Sequence, residues 1–163
     1  MAIEKRDSVS PGKKGFLILK DGEFDIDLLY KVIVDWFGKR QYTFSEVENT
    51  EKVKPQGNDI NLKLYGDRKI DDYAEYHIEV FIIIIELRKK GSKYTGRMKI
   101  NIDVYIELDY MGNWQKTPFT KFLFHVYNNF IIKKRIKDGY EDDLEEDAKE
   151  LMGRIKKTIG LHD

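Results

Sequence analysis

A basic segment between two long apolar stretches is the part of the sequence whose residue types have the clearest chemical use. Residues 88–99 contain six basic residues and no acidic one, and Tyr94 lies among them. Cations neutralise phosphates, and an aromatic ring can stack on a base. The segment therefore predicts a nucleic-acid contact through Arg88, Lys89, Lys90, Lys93, Tyr94 and Arg97. The alternative is a solvated hairpin tip whose charges discourage aggregation through a strand edge.

Two groups of aromatic residues indicate a different kind of site. They are concentrated around Trp36 and again between residues 114 and 130. A curved sheet that grips a long helix can leave an apolar cavity between the two. The residues predicted to line such a cavity are Trp36, Trp114, Phe122 and Tyr127. The alternative is that these side chains simply fill the core.

Carboxylates on one strand form a third candidate site. Asp103, Glu107 and Asp109 occur at period-two spacing, so they share one strand face with Arg97 and Lys99. Such a cluster could bind Mg²⁺ or supply an acid and a base. The alternative, which we favour, is a solvated sheet face that balances its own charges.

Other motifs give little support to an enzyme. His77 and His125 are far apart in sequence and His162 lies near the C-terminus, so no spacing typical of metal ligands is visible. Cysteine is absent, which excludes disulfides, thiolate zinc sites, iron–sulfur clusters and a cysteine nucleophile. Glycine-rich phosphate loops and the common hydrolase motifs are absent as well. We therefore assign no catalytic residue, no metal and no cofactor.

The composition is that of a folded domain without net charge. The 163 residues are 41% hydrophobic, and 29 basic residues balance 29 acidic ones, so electrostatic recognition must come from local patches. The charged fraction of 36% resembles the Lys- and Glu-rich style of thermophile proteins. The N-terminus is unlike a signal peptide, and the longest apolar run, Phe81–Ile85, is too short to span a bilayer. We expect a cytoplasmic protein that makes no membrane contact.

Hydrophobic periodicity places the candidate residues on helices and strands. A helix is predicted from Asp25 or Asp27 to Gly38, and strands are predicted over 42–47, 60–65, 73–87 and 97–110. A short segment with two glycines joins the two longest strands, which predicts an antiparallel hairpin. Apolar residues return to helical spacing from Phe119 onward, as two helices or as one long helix broken at Gly139.

These elements predict an α+β fold in two layers. An antiparallel sheet of about four strands should pack on an N-terminal helix and on one or two long C-terminal helices. Residues 1–15 are rich in Ser, Gly and Lys and are expected to form a mobile N-terminal arm. A single domain is expected over residues 16–163.

One stretch of the sequence resembles known proteins. The segment Trp114–Ile136, WQKTPFTKFLFHVYNNFIIKKRI, together with Asp71-Asp72-Tyr73, is similar to small archaeal hypothetical proteins that have no assigned activity. The resemblance implies an archaeal origin. It consists of packing patterns and transfers no functional residue.

Two functional hypotheses remain open. The first is a non-catalytic binding or interaction domain whose basic hairpin contacts a macromolecular partner, with nucleic acid as the partner to test. The second is a carrier of a small apolar ligand, with a cavity between the sheet and the C-terminal helices. In either case the protein is expected to be a monomer or a homodimer.

Overall fold

Six β-strands and three α-helices are formed by the residues that the computed structural model describes, namely 6–8, 15–71, 73–108, 116–127 and 139–161. For residues 6–8, 124 and 127 only the backbone is described. The strands are β1 (Arg6–Ser8), β2 (Phe16–Phe24), β3 (Thr43–Lys52), β4 (Asn58–Lys69), β5 (Ala74–Lys90) and β6 (Lys93–Leu108). The helices are α1 (Ile26–Lys39), α2 (Pro118–Tyr127) and α3 (Glu141–Thr158).

The strands form one antiparallel sheet with five positions. Four positions follow the order β6, β5, β4 and β3, so β5 lies at the centre as its apolar run predicts. The free edge of β6 is shared by two strands, because β2 pairs with residues 94–102 and β1 pairs with residues 105–107. The α+β class and the antiparallel sheet are confirmed. The sheet is one position wider than the sequence predicts.

The additional position comes from the N-terminal part of the chain. In β2, Phe16 and Ile18 are buried whereas Leu17 and Leu19 are exposed, which is the alternation of an edge strand with one covered face. Arg6–Ser8, which the sequence assigns to a mobile arm, form β1 instead. β6 extends beyond the end of β2, and its unpaired backbone groups there accept a further strand.

Helix α1 forms where the sequence predicts it. Its N-cap is Asp25, whose Oδ1 accepts a hydrogen bond from the backbone N–H of Leu28 at 3.0 Å. The chain leaves the helix at Gln41, which has a φ of 63°. Its buried residues follow helical spacing and form one apolar stripe: Leu29, Ile33, Trp36 and Phe37.

Helices α1 and α3 cover the same side of the sheet, which we call the inner face. Their apolar residues join one core with the inward residues of the strands. Tyr42, after α1, donates a hydrogen bond from its hydroxyl to Asp147 of α3 at 2.8 Å. Arg40 also forms an ion pair with Glu150. The residues that α3 buries are Leu144, Ala148, Leu151 and Ile155.

The β5–β6 hairpin is confirmed. Gly91 and Ser92 form its tip, and Gly91 has a φ of 64°, as the first central position of a tight hairpin turn requires. Along β6 the even-numbered residues from Met98 to Leu108 are buried on the inner face. The intervening residues lie on the opposite side, as their alternation predicts.

Helix α2 is short and its start is capped by threonine. The backbone N–H of Thr120 donates to Oγ1 of Thr117 at 3.1 Å. Its described apolar side chains, those of Phe119, Phe122, Leu123 and Val126, are exposed, unlike the apolar stripes of α1 and α3. Among the helices of the described ranges, none combines the length and the apolar character needed to cross a bilayer.

Candidate functional site

The side of the sheet opposite α1 and α3, called here the outer face, carries its side chains in rows set by the strand register. One row runs from Leu19 through Lys99 to Ile83. The next row toward the hairpin tip runs from Asp21 through Arg97 to Ile85. Residues directly opposite each other on neighbouring strands have side chains in contact range. The two rows therefore place apolar and basic side chains together on one patch.

Charge is distributed unevenly along the outer face. Its half nearer the hairpin tip carries the basic residues Lys63, Arg97 and Lys99, with Glu48 opposite Lys63 and Asp21 opposite Arg97. Its far half carries five carboxylates on three neighbouring strands: Asp67, Glu75, Glu79, Asp103 and Glu107. Because clustered charges of one sign attract ligands of the opposite sign, the far half disfavours an anionic group, whereas the hairpin half carries charges of both signs.

The two rows enclose a groove with a volume of about 390 Å³. Its apolar walls come from Leu19, Ile83 and Ile85. Its charged residues are Lys20, Asp21, Arg97 and Lys99. Leu19 is 62% exposed and Ile85 is 38% exposed, so apolar surface is accessible at this position. The volume lies within the range of small-molecule sites. The sequence predicts neither the groove nor its location.

A β-bulge at Glu86 shapes the end of this groove. Glu86 has a φ of 55°, and the register of β5 shifts by one residue between Ile85 and Arg88. The bulge is held from β4, because Asp59 Oδ1 accepts a hydrogen bond from the Glu86 backbone N–H at 3.3 Å. Glu86 in turn lies 3.3 Å from the Arg97 guanidinium in the groove. Bulges often occur beside functional sites, where they redirect side chains.

The six residues predicted to contact nucleic acid all lie on the hairpin, but several have partners within the protein. Lys90 forms an ion pair with Glu23 at 2.9 Å, and Arg97 pairs with Glu86. The Arg88 guanidinium donates to the backbone carbonyl of Gln56. Intramolecular partners of this kind reduce the charge that is available to a phosphate.

The remaining residues of the predicted nucleic-acid site differ in accessibility. Lys89 and Lys93 are exposed. Tyr94 is partly buried and packs against the core, where it lies opposite Phe24 in the register. A ring held in this way is not presented flat to solvent for stacking on a base. The cations of the segment are thus better placed for binding than its aromatic ring.

The four residues predicted to line a ligand pocket are not brought together in the described part of the chain. Trp36 is 2% exposed and stacks on Tyr42, with ring centroids 5.6 Å apart. Phe122 lies on α2 and is 62% exposed. Trp114 and the side chain of Tyr127 lie outside the described residues.

A buried histidine lies in the far half of the outer face. His77 is 5% exposed, and its ring stacks on Tyr105 with centroids 4.6 Å apart and an interplanar angle of 7°. The Tyr65 hydroxyl forms a hydrogen bond with Nδ1 of His77. On the other side of the ring, Nε2 lies 3.1 Å from Oε2 of Glu107. Side chains from β4, β5 and β6 thus surround one imidazole.

Glu75 extends this histidine cluster. Its Oε1 lies 3.7 Å from Nε2 of His77. Burial raises the pKa of the Glu75 carboxyl above its usual range, and the carboxylates of Asp67 and Glu107 raise it further. Ionised Glu75 therefore disfavours the folded state, and this effect grows as the pH rises through the pKa of Glu75 in the folded protein.

The chemistry open to this cluster is limited by access. The Tyr65 hydroxyl and the Glu107 carboxylate lie on either side of the His77 ring. A proton could pass between them only with a hydrogen bond from Nε2 to Glu107, which the geometry does not show. The imidazole is almost completely covered, however, so a substrate atom has no direct approach to it. No group of three or more His, Asp or Glu residues suited to a metal ion occurs within the described ranges. We interpret the cluster as a polar contact that links three strands.

Sequence reasoning missed the histidine cluster because its members come from three strands. Glu107 was recognised only as one of three carboxylates on a strand face. Asp103 and Glu107 do lie on that face with Arg97 and Lys99, whereas Asp109 and His162 fall outside the described residues. His125 lies exposed on α2.

A second groove is polar and lies on the opposite side of the molecule. It has a volume of about 460 Å³ and is formed between α1 and α3. Its walls include the charged residues Glu150, Arg154 and Lys157. Val32 is the only residue in these walls with an apolar side chain. Sites for small molecules usually have predominantly apolar walls. The groove on the outer face is therefore the better candidate for a ligand site.

Comparisons with known proteins identify no relative of the chain. No protein-family model matches it. Neither a curated protein nor a solved structure matches it. The function must therefore be inferred from the geometry of the outer face.

Proposed function

We propose that the protein is a non-catalytic binding domain whose ligand site is the groove on the outer face. The observation that carries this proposal is the pairing of exposed apolar side chains with cations across two adjacent rows of the sheet. The ligand class that fits is a small amphiphile with an apolar body and an anionic group. Leu19, Ile83 and Ile85 would contact the apolar body. Lys99 would face the anion, whereas Arg97 is held by its ion pair with Glu86.

The proposed ligand site lies in a different part of the fold from the cavity that the sequence predicts. The sequence places the ligand between the sheet and the C-terminal helices. In the described part of that interface, Leu144, Ala148, Leu151 and Ile155 of α3 are fully buried against the core. Side chains in close-packed contact leave little room for a ligand. The outer face, in contrast, offers accessible apolar surface beside cations.

The proposal is tested with two fluorescent probes that share an apolar body. 1-Anilinonaphthalene-8-sulfonate carries an anionic group, and N-phenyl-1-naphthylamine lacks it. We expect saturable binding of the sulfonate probe and weaker binding of the neutral one. Leu19→Glu should weaken binding of the sulfonate probe by about tenfold or more, since it removes apolar contact and adds a repulsive charge.

Two further variants sharpen this experiment. Val53→Glu is the matched control, because Val53 is 80% exposed and lies outside the groove. Lys99→Met removes the cation but keeps an apolar stem, so it should weaken binding of the sulfonate probe more than binding of the neutral probe. Equal effects of Leu19→Glu and Val53→Glu, or no saturable binding by the wild-type protein, would contradict the proposal.

The second candidate function is nucleic-acid binding through the hairpin. It is favoured by one observation: Lys89, Lys93 and Lys99 are exposed and make no ion pair with any residue that the structure describes. Three unpaired cations at one end of the molecule can neutralise phosphates without first breaking an internal contact.

Salt-dependent titration against single-stranded DNA distinguishes this candidate. If it holds, affinity falls steeply with salt, and Lys89→Glu/Lys93→Glu lowers the slope of log K against log salt by about 1.4, or about 0.7 for each lost phosphate contact. Lys31→Glu/Lys157→Glu is the charge-matched control on the exposed surface of the helical layer. The candidate is rejected if both double variants bind alike, or if affinity does not depend on salt.

A further inference from the structure

Helix α2 presents an apolar stripe to solvent. Its stripe residues recur at i, i+3, i+4 and i+7, which places them along one side of the helix. Their exposed fractions are 68% for Phe119, 62% for Phe122, 38% for Leu123 and 38% for Val126. An amphipathic helix of a globular domain normally turns such a stripe toward the core, as α1 does. The stripe of α2 therefore has the character of a surface that is covered by something else.

The sequence around this helix is basic. Lys116 and Lys121 are exposed, and Lys121 lies on the side of the helix opposite the stripe, at about 100° of rotation per residue. In the sequence, residues 110–137 contain six basic residues and no acidic one. The rest of the chain has 23 basic and 29 acidic residues, so the neutral molecule concentrates its positive charge in this region. Positive charge of this kind complements an anionic surface.

We propose that α2 is an interfacial helix that lies on the surface of an anionic lipid bilayer. The stripe of Phe119, Phe122, Leu123 and Val126 enters the boundary between headgroups and acyl chains. Lys116 and Lys121 extend their charged ends toward the headgroups. A helix with large apolar side chains on one side and basic residues on the other is the usual form of such a surface anchor. In α2, Lys121 lies on the side opposite the stripe, and Lys116 precedes the helix.

Lipid fits the observations better than the two other occupants. A second copy of α2 would bring two basic segments together, and like charges in a contact disfavour association. Nucleic acid would gain little from Leu123 and Val126, which neither stack on bases nor donate hydrogen bonds. A helix of ten residues is about 15 Å long, half the thickness of the hydrocarbon core, so α2 lies on a bilayer and does not cross it.

The sequence-based expectation of no membrane contact rested on the absence of a spanning segment and of a signal peptide. Neither feature is needed by a helix that lies in the interface. The inference is also independent of the groove, because α2 contributes no residue to its walls. Both can be tested on the same purified protein.

Vesicle flotation tests the inference directly. The 163-residue protein is mixed with phosphatidylcholine vesicles, or with the same vesicles containing a minority of phosphatidylglycerol, and is centrifuged through a density gradient. We expect the protein to float with the anionic vesicles and far less with the neutral ones. Raising the salt concentration should reduce flotation, since the headgroup attraction is screened.

Paired variants separate the apolar and electrostatic contributions. Phe119→Ser/Phe122→Ser should lower partitioning into anionic vesicles by about tenfold or more, because two exposed aromatic side chains no longer enter the interface. Lys116→Gln/Lys121→Gln should weaken partitioning less and should reduce its salt dependence. Val53→Ser removes another exposed apolar side chain outside α2 and should leave flotation unchanged. Since the substituted side chains are exposed, thermal unfolding should confirm that the variants remain folded.

Three outcomes would overturn the inference. The first is a wild-type protein that does not float with anionic vesicles. The second is undiminished flotation of Phe119→Ser/Phe122→Ser. The third is a wild-type dimer in sedimentation analysis that this double variant converts to a monomer, which would make the stripe an interface between two copies. Failure of the groove proposal is measured by probe binding to Leu19→Glu, and failure of this inference by flotation of Phe119→Ser/Phe122→Ser, so the two failures are distinguishable.

Discussion

Replacing Gly66 with alanine is expected to destabilise the fold by about 2 kcal/mol and to lower Tm by roughly 6 °C. A Cβ atom at position 66 would overlap the Phe37 ring and would lie 2.6 Å from its Cδ1. The ring cannot move aside easily, because Phe37 is 0% exposed and is packed against Trp36, Tyr42 and Phe44. The cost arises because close-packed side chains must leave their preferred rotamers to admit one more methyl group.

Gly153→Ala is the matched control for this prediction. Gly153 lies on the exposed side of α3, its φ is in the ordinary range, and an added Cβ meets no atom within 4 Å. Alanine there should stabilise the protein by about 0.5–1 kcal/mol, because glycine loses more backbone entropy in a helix. Urea-induced unfolding measures both changes. A Gly66→Ala variant as stable as the wild type would show that the inner face is not close-packed at this point.

The second large effect is a loss of stability in alkali. Burial raises the pKa values of Tyr42, Tyr65 and Tyr76 above their usual range; Asp147 adds to the effect at Tyr42, and Asp143 adds to it at Tyr76. In the unfolded chain a tyrosine ionises near pH 10. Above that pH the unfolded state loses protons that the folded state retains, so the free energy of unfolding falls as the pH rises. The stability is fully present below the unfolded pKa.

The magnitude of the alkaline effect follows from the number of buried hydroxyls. Tyr42 is 5% exposed and Tyr76 is 2% exposed, so each should remove about 1.4 kcal/mol of stability per pH unit above about pH 10. Tyr65 is less buried and should contribute less. Urea-induced unfolding measured between about pH 9 and about pH 11.5 gives the slope. Tyr42→Phe should reduce this slope by about 1.4 kcal/mol per pH unit, which corresponds to one proton. The slope should fall even though the variant loses the hydrogen bond to Asp147.

The slope separates this mechanism from general charge repulsion. Repulsion among surface groups at high pH would affect wild type and Tyr42→Phe alike, since the substitution changes no surface charge. An unchanged slope in Tyr42→Phe would therefore mean that the Tyr42 hydroxyl ionises as readily in the folded protein as in the unfolded chain. It would also mean that the contact between Tyr42 and α3 is absent in solution.

Local pattern was sufficient for most elements of the fold. The stripe of α1 and the period-two alternation of β6 each match a repeat that a helix or a strand imposes, so both elements could be predicted from neighbouring residues. β2 was harder to assign, because its exposed Leu17 and Leu19 make it look like a continuous apolar run. β1 could not be assigned at all, since its strand geometry depends on the free edge of β6.

The candidate site was predicted only in part. The basic hairpin was recognised because its residues are neighbours in sequence, and its cations do lie together. The groove joins Leu19, Ile83 and Lys99 from three strands, so its composition depends on how those strands align. The ion pair between Lys90 and Glu23 also required the pairing of β2 with β6.

The sequence by itself determined the α+β class, the apolar faces of α1 and β6, and a hairpin between β5 and β6, whose tip the structure places at Gly91 and Ser92. Only the tertiary structure decided which residues share the outer face. Continued from that tip, an unbroken register would pair His77 with Ile106, but the bulge at Glu86 shifts it by one and pairs His77 with Tyr105. A shift of one residue gives every β5 side chain beyond the bulge a different partner on β6. The bulge depends on Asp59 and on the close approach of Gly57 to Glu86, which are contacts that exist only once β4 lies beside β5.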